Sequence, residues 1–323
     1  MDRMKQVNLL EGEVDDAKLI EDFLVDCKLR NFSEESVRSY KSILRITSSF
    51  LKQNGLSFLS LDRTGLKKLL KFLINDKGYA IKTLENYFSA LSSFYDYLAY
   101  EGFVERNPVL PFRKRYIRQY KAERRNLGSE RKLISVEQMR MLINSILDPR
   151  DKAIVTLLAK TGIRRKELIN IDVDDIDWEE QSIRLKPHPK RSNLIVFFDD
   201  ECARVLHRWL NARKNWKVAP GCKALFIGRR GQRLKRHGVY RVVTKYAEKV
   251  GLHNSKSKKP EDHLTPHCFR HWFTTWLLRN GMPREYVKEL RGDKRSEAID
   301  VYHHIDRREL RRMYLACVPK LGI

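Results

Sequence analysis

Apolar residues recur at helical spacing through the first hundred residues of the chain. From about residue 16 to residue 102 they fall three or four positions apart, and short polar or glycine-containing breaks such as Asn54-Gly55 separate the runs. Ser33 stands before one run as a helix N-cap, and acidic residues follow it in the first turn, where negative charge suits the helix dipole. The pattern predicts four amphipathic helices packed as a small bundle.

The pattern changes in the second half of the chain, where helical periods are interrupted by short strand-like runs. Ser135 and Gln138 form a predicted capping box, and Gly162 is the stop signal of the helix that follows. The runs 182–185 and 194–198 are rich in β-forming residues and are joined by a polar loop, which predicts a hairpin. The sequence therefore predicts a mainly α protein with a small antiparallel β-sheet.

These patterns divide the chain into four parts. Residues 1–15 lack apolar periodicity and are predicted to be an N-terminal tail, and residues 16–111 are the helical bundle. Residues 112–133 are predicted to be a linker, because nine lysines and arginines against two glutamates occupy 113–132, with tyrosines interleaved. Residues 134–323 form the second domain.

The charge of the chain restricts its partners. The 323 residues hold 65 Lys and Arg against 41 Asp and Glu, a net charge of +24, which predicts a polyanionic partner. The longest apolar run is far shorter than the roughly 20 residues that a membrane-spanning helix needs, so nucleic acid is favoured over membrane. The N-terminus lacks the apolar core of a signal peptide, and the five cysteines form no C-x-x-C pair. We therefore expect a reducing, cytoplasmic location.

Three clusters of residues carry candidate chemistry. In the first, Arg164 follows a glycine turn at the start of a helix, and Glu167 lies three residues on, where it can hold that arginine. In the second, His267 and Arg270 share one face of the first turns of a helix, which is already an anion-binding position. In the third, Asp293 ends the sequence Leu-Arg-Gly-Asp, and Tyr302 follows nine residues later.

A zinc site is the alternative for the second cluster. His263, His267 and His271 are spaced by four residues, but Pro266 is predicted to begin the helix, which leaves His263 outside it. The chain has no H-E-x-x-H motif. We therefore expect no metal site here. The sequence also has no Walker loop and no acidic cluster typical of two-metal nucleases.

The three clusters, in this order, resemble the tyrosine recombinase (phage-integrase) family. Its pattern is an arginine in T-G-x-R-x-x-E-L, a lysine in a hairpin, H-x-x-R at a helix start, and a tyrosine nine residues after the last position of an L-x-G-H box. The resemblance covers about 134–323, whereas the first domain matches the family's helical, SAM-like core-binding domain in length and position only. The loops at 190–193 and 291–293 look most like those of archaeal integrases, enzymes of mobile elements.

The resemblance implies a role for each matching residue. Tyr302 would be the nucleophile that attacks the scissile phosphate, Arg164 and Arg270 would hold its non-bridging oxygens, and His267 would share that contact and the proton transfer. A hairpin lysine would protonate the leaving 5′-oxygen, with Lys190 favoured and Lys186 in reserve. Glu167 and His271 would be supporting residues.

One position departs from the family pattern. Asp293 stands where the family has a second histidine or a tryptophan, and an aspartate at neutral pH cannot donate a hydrogen bond to phosphate. Asp293 could instead orient Arg164, Arg270 or His271. Alternatively Arg291, Lys294 or His303 could supply the missing donor.

The sequence thus predicts a site-specific DNA recombinase or integrase that acts through a covalent 3′-phosphotyrosine and needs no metal, ATP or cofactor. We expect it to bind double-stranded DNA at a specific recombination site as a homotetramer, to be a monomer or dimer when free, to have no membrane partner, and to act at the nucleoid. The alternatives are a catalytically impaired DNA-binding relative of the same fold and a metal-dependent nuclease. The apolar stripe of the C-terminal tail could dock on a neighbouring subunit or on its own domain.

Overall fold

A computed structural model describes residues 15–118, 133–187, 191–257, 259–293 and 305–323. The chain divides into two compact units, unit 1 at Met1–Gly128 and unit 2 at Ser129–Ile323. Each unit has its own hydrophobic core.

Long helices make up the described part of unit 1, as the apolar periodicity predicts. Side-chain oxygens of Asp15, Ser33 and Asp62 accept backbone N–H groups at the first turns of three of them, which stabilises each helix start. The helices are α1 (Asp16–Leu29), α2 (Glu34–Gln53), α3 (Arg63–Asn75), α4 (Ile81–Tyr100) and the short α5 (Val109–Phe112).

The chain stays helical beyond α5, where the sequence predicts the start of a linker. A π-helical turn covers Arg113–Ile117, and Phe112 and Ile117 are buried in the core of unit 1. These two buried apolar side chains therefore fix the first residues of the predicted linker to the bundle. The rest of it, residues 119–132, lies outside the described part of the chain.

Aromatic side chains fill the core of unit 1. The ring of Phe94 lies 5.2 Å from that of Phe23 and 4.8 Å from that of Phe58, both edge-on. Buried hydroxyl groups are paired: Tyr95 donates to the carbonyl oxygen of Phe58 at 2.6 Å. This packing joins α1, α4 and the loop after α2 into one layer.

Unit 2 is also mostly helical. Ser135 and Gln138 make the predicted capping box at 3.1 and 2.9 Å, and Gly162 ends the next helix in the left-handed conformation, both as expected. The helices are α6 (Val136–Asn144), α7 (Pro149–Thr161), α8 (Arg165–Ile169), α9 (Asp200–Arg213), α10 (Arg236–Lys249), α11 (Pro266–Arg279), α12 (Arg284–Arg291) and α13 (Arg307–Cys317).

A small antiparallel sheet lies between α8 and α9. Its strands β1 (Ile176–Asp177), β2 (Ser182–Arg184) and β3 (Ile195–Phe197) are arranged in that order, with Ile183 opposite both Ile176 and Val196. The hairpin of β2 and β3 is the one that the sequence predicts. The two-residue strand β1 was not predicted, because it is too short to show an alternating pattern.

The C-terminal segment packs on its own unit. Leu310 and Tyr314 of α13 are buried in a cluster with Phe197, Phe273 and Met282, and the Tyr314 hydroxyl donates to the carbonyl oxygen of Lys160 at 2.9 Å. Of the two possibilities for the tail, this is docking on its own domain. No helix in the described ranges is long and apolar enough to cross a membrane.

Candidate active site

The turn after α7 positions the first of the predicted arginines. Gly162 has a φ of +60°, and a Cβ atom there would lie 2.5 Å from Cδ1 of Phe273 on α11. A glycine is therefore needed for both the left-handed turn and the close packing of α7 against α11. Two residues later the chain reaches Arg164, the N-cap residue of α8, whose side chain is 33% exposed.

Glu167 fixes Arg164 from the next turn. Its carboxylate accepts from the backbone N–H of Arg164 at 2.6 Å and from Nη1 of the same residue at 2.8 Å. Burial alone would raise the pKa of Glu167, but Arg191 and Arg164 outweigh burial and hold this pKa below its usual value. Glu167 is therefore an anion at neutral pH and a buried anchor for Arg164.

Arg270 reaches the same place from α11. Its Nη1 donates to the carbonyl oxygen of Gly162 at 3.1 Å, and its Nη2 donates to the carbonyl oxygen of Arg291 at 2.8 Å. Burial, together with repulsion from Arg164 and Arg291, lowers the pKa of Arg270 to about 10. The guanidinium stays charged at neutral pH, although the neighbouring carboxylates of Asp293 and Glu167 do not fully offset burial and the repulsion from the other arginines.

Asp293 brings the two arginines together. It follows α12, which ends at Gly292 in the left-handed conformation. Its Oδ1 lies 3.0 Å from Nη2 of Arg270 and 3.8 Å from Nη2 of Arg164, and its Oδ2 lies 3.1 Å from Nε of Arg291. Of the orienting roles considered for Asp293, the contacts are therefore with Arg164 and Arg270.

A buried arginine that the sequence analysis did not single out joins these elements. The side chain of Arg191 is 0% exposed, and it donates to Glu167 Oε2 at 3.3 Å and to the carbonyl oxygens of Arg291 and Leu290 at 3.1 and 2.9 Å. It also donates to the carbonyl oxygen of Asn193. Arg191 thus fixes the end of the hairpin loop to the end of α12.

We call Arg164, Glu167, Arg191, Arg270, Arg291 and Asp293 the arginine cluster. Four guanidinium groups face two carboxylates in it, so the cluster carries a surplus of positive charge. Arg164 and Asp293, whose side chain is 32% exposed, open to solvent, whereas Glu167 and Arg191 are buried behind them. Converging guanidinium groups that are partly exposed to solvent are suited to binding a phosphate group.

The two histidines of α11 lie on its exposed side. The rings of His267 and His271 are 5.0 Å apart and nearly perpendicular, in the first turns after Pro266. His263 lies before the helix, and its Nε2 is 2.8 Å from the carbonyl oxygen of Ser257. Within the described ranges, no group of three or more His, Cys, Asp or Glu side chains could hold a metal ion.

The start of α11 agrees with the prediction. Pro266 begins the helix, as predicted, and Thr265 precedes it as the N-cap residue. The backbone N–H of Thr265 donates to Sγ of Cys268, 3.4 Å away.

Of the two candidate lysines, Lys186 and Lys190, the structure describes only Lys186. Nζ of Lys186 lies 2.7 Å from Asp175 Oδ1 and 3.2 Å from Asp172 Oδ2, and the hydrogen bond to Asp175 is the main cause that raises the pKa of Lys186. Lys190 lies outside the described residues. So do Tyr302 and two of the alternative donors, Lys294 and His303.

Comparison with known proteins gives matches along both units. The phage integrase family model matches residues 132–309, and the model of the phage integrase N-terminal SAM-like domain matches residues 20–102.

Curated relatives match most of the chain. Tyrosine recombinase XerC of Actinobacillus pleuropneumoniae is 28% identical over 292 residues, 89% of this chain and 89% of the relative. Tyrosine recombinase XerD of Staphylococcus epidermidis is 25% identical over 313 residues, 94% of this chain and 99% of the relative. These comparisons do not show the likeness to archaeal integrases that the loop sequences suggested.

Solved structures share the fold. The Tn1549 transposon integrase in complex with circular intermediate DNA has a TM-score of 0.64 and 19% identity, covering 91% of this chain and 98% of that chain. The XerH site-specific recombinase bound to its difH substrate, in a post-cleavage complex, has a TM-score of 0.62 and 18% identity, covering 92% of this chain and 83% of that chain. The predicted combination of a SAM-like helical domain with an integrase catalytic domain is thus confirmed.

Proposed function

The chain belongs to the phage integrase family, and from that premise we propose how its own residues cut and rejoin DNA. It is a tyrosine-type site-specific recombinase, like the XerC and XerD relatives that match almost its whole length. The impaired relative and the metal-dependent nuclease considered above are not favoured. The proposal concerns which residues perform each step, which DNA surface the protein offers, and how it assembles.

One observation carries the assignment of the phosphate site. Arg164 and Arg270 come from segments more than a hundred residues apart, yet their Nη2 atoms converge on one oxygen, Oδ1 of Asp293. A carboxylate oxygen and a non-bridging phosphate oxygen are similar acceptors for guanidinium groups. We therefore place the scissile phosphate where these two arginines meet, so that they neutralise charge on its equatorial oxygens in the transition state.

Tyr302 is the proposed nucleophile. Its phenolic oxygen forms a bond to phosphorus, the bond from phosphorus to the 5′-oxygen breaks, and the DNA 3′-phosphate becomes linked to the protein. Because the phosphotyrosine retains the energy of the broken bond, attack by a 5′-hydroxyl rejoins the strand without ATP. The described residues on either side of residues 294–304 make contacts within unit 2: Asp293 lies 3.0 Å from Nη2 of Arg270, and Arg307 donates to Ser182 at 3.2 Å.

Lys190 is the proposed general acid for the leaving 5′-oxygen. Lys186 is a poorer candidate, because two carboxylates hold its ammonium group and its pKa is raised. We expect Lys190→Met to slow cleavage by about 10²–10⁴-fold and Lys186→Met to have little effect. A substrate whose leaving 5′-oxygen is replaced by sulfur should restore Lys190→Met, since a thiolate leaves without a proton. If Lys186→Met slows cleavage and the sulfur substrate restores that variant instead, Lys186 is the general acid and Lys190 is not.

His267 is proposed to contact the phosphate and to share in proton transfer from Tyr302, with His271 and Glu167 in support. His267 lies in the first turn of α11, on the element that also carries Arg270. The guanidinium groups supply the positive charge that a metal ion supplies in two-metal nucleases. We therefore expect cleavage to be unchanged in the presence of EDTA, and a loss of activity that Mg²⁺ restores would contradict this mechanism.

Unit 1 offers a surface for duplex DNA. One groove is lined by Lys82, Asn86 and Ser89 of α4 together with Arg113, Lys114 and Arg118, and a neighbouring groove is lined by Arg63, Lys67 and Lys114. Cations there would contact phosphates, and the amide of Asn86 can read a base edge. We expect Lys114→Ala to weaken binding to DNA of any sequence and to reduce the salt dependence by about one phosphate contact.

We further propose that four copies assemble on a recombination site, because each active site cuts one strand and recombination exchanges four. The free protein is expected to be a monomer or dimer, and its place of action is the nucleoid. Mass measurement of the protein alone and with a DNA site checks this assembly. A mass with DNA that never exceeds that of two copies would contradict it.

The test of the proposed function is covalent capture. Full-length protein is incubated with a library of duplexes of random sequence, each nicked so that the short fragment beside the cut diffuses away. We expect the trapped DNA to be linked to the peptide that contains Tyr302, and Tyr302→Phe to give no adduct while the matched variant Tyr286→Phe gives the wild-type amount. An adduct on another residue, or one that persists in Tyr302→Phe, overturns the assignment.

A further inference from the structure

The arginine cluster already contains an anion at the place where the substrate phosphate is proposed to bind. Oδ1 of Asp293 lies 3.0 Å from Nη2 of Arg270 and 3.8 Å from Nη2 of Arg164. Its other oxygen faces Nε of Arg291 at 3.1 Å. One carboxylate therefore faces three guanidinium groups that come from three different segments.

The second carboxylate of the cluster cannot take this role. Glu167 is 3% exposed and already accepts from the backbone and side chain of Arg164 and from Arg191. Asp293 is the more accessible of the two, and its contact with Arg164 is the longest in the cluster. A phosphate that arrives from solvent thus meets Asp293 first and Glu167 not at all.

The backbone holds Asp293 in this position. Its N–H donates to the carbonyl oxygen of Lys288 at 3.2 Å, and its carbonyl oxygen accepts from the Ser192 hydroxyl at 2.8 Å. The preceding Gly292 has a φ of +61°, and a Cβ atom there would lie 2.5 Å from Cγ of the buried Arg191. The position of the carboxylate is therefore set by the fold and not by a freely rotating loop.

An aspartate at this point opposes the local electrostatics of its helix. It directly follows the C-terminus of α12, where the helix dipole favours cations. The surrounding arginines offset this unfavourable interaction with the helix dipole. The negative charge of Asp293 is therefore stabilised by the arginines and not by the helix. Local rules are most often broken at functional positions.

We propose that Asp293 is a positioning residue that also competes with the substrate phosphate for the same guanidinium groups. Its carboxylate aligns Arg164 and Arg270 in the free protein, and it must give up part of its contacts with them when a phosphate binds. This inference rests on the proposed function, which puts the scissile phosphate at these arginines. Because two negative charges a few ångströms apart repel, Asp293 weakens the binding of any isolated phosphate. DNA that makes enough other contacts offsets this penalty and displaces the aspartate, whereas an isolated phosphate has no other contacts to offset it.

The test measures anion binding to full-length protein with inorganic sulfate as the probe, at constant ionic strength. Asp293→Asn keeps the side-chain shape, removes the competing charge and adds a donor. We expect its dissociation constant for sulfate to fall by roughly tenfold or more. Asp293→Ser, a second neutral variant, should show the same direction. Adding Arg164→Ala to Asp293→Asn should abolish the gain, because the gain depends on that guanidinium.

Asp174→Asn is the matched control, since it changes the net charge equally at an exposed ion pair with Lys223. It should leave sulfate binding unchanged. Unchanged sulfate affinity in both folded Asp293 variants, or an equal gain in Asp174→Asn, overturns the inference. Sulfate binding and covalent capture are independent measurements. An adduct on Tyr302 without a gain in sulfate affinity in the Asp293 variants refutes only the role of Asp293. A gain in sulfate affinity without that adduct refutes only the assignment of Tyr302 as the nucleophile.

Discussion

Two ionic clusters lie on either side of one turn in unit 2, and they differ in charge balance and in exposure to solvent. In the lysine cluster, Lys160 is 0% exposed and donates to Asp199 at 2.7 Å, to Glu201 at 2.5 Å and to the carbonyl oxygen of Pro319 at 2.8 Å. Its three donors are all used, and carboxylates outnumber the buried cation. In the arginine cluster, which begins four residues later, cations outnumber carboxylates, and the side chains of Arg164, Arg291 and Asp293 are each about one-third exposed.

The difference separates a structural cluster from a functional one. Glu201 also accepts from the backbone N–H groups of Leu321 and Gly322 at 2.8 and 2.5 Å, so the lysine cluster ties the C-terminal residues to the core. It leaves no surface for a ligand. The arginine cluster keeps a surplus of positive charge that is partly exposed to solvent, and burial, followed by repulsion from Arg164 and Arg291, lowers the pKa of Arg270. Surplus charge and an opening, more than the number of ion pairs, indicate a binding site.

The largest expected effect is on stability at the lysine cluster. Lys160→Met leaves Asp199 and Glu201 without their buried cation, so the free energy of unfolding should fall by about 3–5 kcal/mol in urea titrations. Lys320→Met removes an exposed lysine that lies 3.6 Å from the same Asp199 and should cost less than about 1 kcal/mol. Equal losses for the two variants would mean that burial does not distinguish these pairs.

At the arginine cluster the effect should be on rate. Arg164→Ala should slow DNA cleavage by about 10²–10³-fold, because one donor to the transition state is lost. Its stability should change little, since Glu167 keeps Arg191 as a partner. Arg204→Ala, an exposed arginine that bonds to the carbonyl oxygen of Ile323, should leave the cleavage rate unchanged. A large loss of stability with normal cleavage in Arg164→Ala would reverse the roles of the two clusters.

The turn between the clusters should be sensitive to a single methyl group. Gly162→Ala combines a left-handed backbone with a contact of 2.5 Å to the buried Phe273 ring, and should cost about 3 kcal/mol. Gly55→Ala is the matched control, because its φ is +65° but a Cβ atom meets nothing within 4 Å. It should cost only about 1 kcal/mol. The difference between the two, measured by thermal or urea unfolding, isolates the packing of α7 against α11.

The smallest expected effect is a pH dependence of the lysine cluster. Although burial alone raises the pKa of Glu201, the Lys160 ammonium and the N–H groups of Leu321 and Gly322 hold this pKa below its usual value. The corresponding stability is present above the unfolded pKa of about 4.3 and is lost as pH falls through the folded value. The stability difference between wild type and Glu201→Gln should therefore shrink only below that pH. A difference that shrinks between pH 7 and pH 5 would contradict the assignment.

Local signals in the sequence predicted most of the helices. Ser33, Ser135 and Gly162 each act through neighbours within a few residues, so the caps and stops that they signal are found in the structure. The hairpin was predicted for the same reason. The helix start at Pro266 was predicted from the same kind of local signal.

Charged residues that are buried by distant partners could not be predicted in the same way. Arg191 lies in a polar loop, and its partners Glu167 and Leu290 are 24 and 99 residues away. Lys160 ends an apolar helix and meets carboxylates about 40 residues further on. Nothing local separates these residues from solvated cations. The convergence of Arg164 and Arg270 was expected from the resemblance to the tyrosine recombinase family. Only the fold gives the distances from their Nη2 atoms to Oδ1 of Asp293.

The most direct measurement of the central claim, that Arg164 and Arg270 neutralise charge on the scissile phosphate, uses a substrate without that charge. A methylphosphonate placed at the mapped cleavage position replaces one non-bridging oxygen by a methyl group. We predict that the defect of Arg164→Ala falls from about 10²–10³-fold on the phosphodiester to less than roughly tenfold on the methylphosphonate. An equally large defect on both substrates would show that the arginine acts elsewhere.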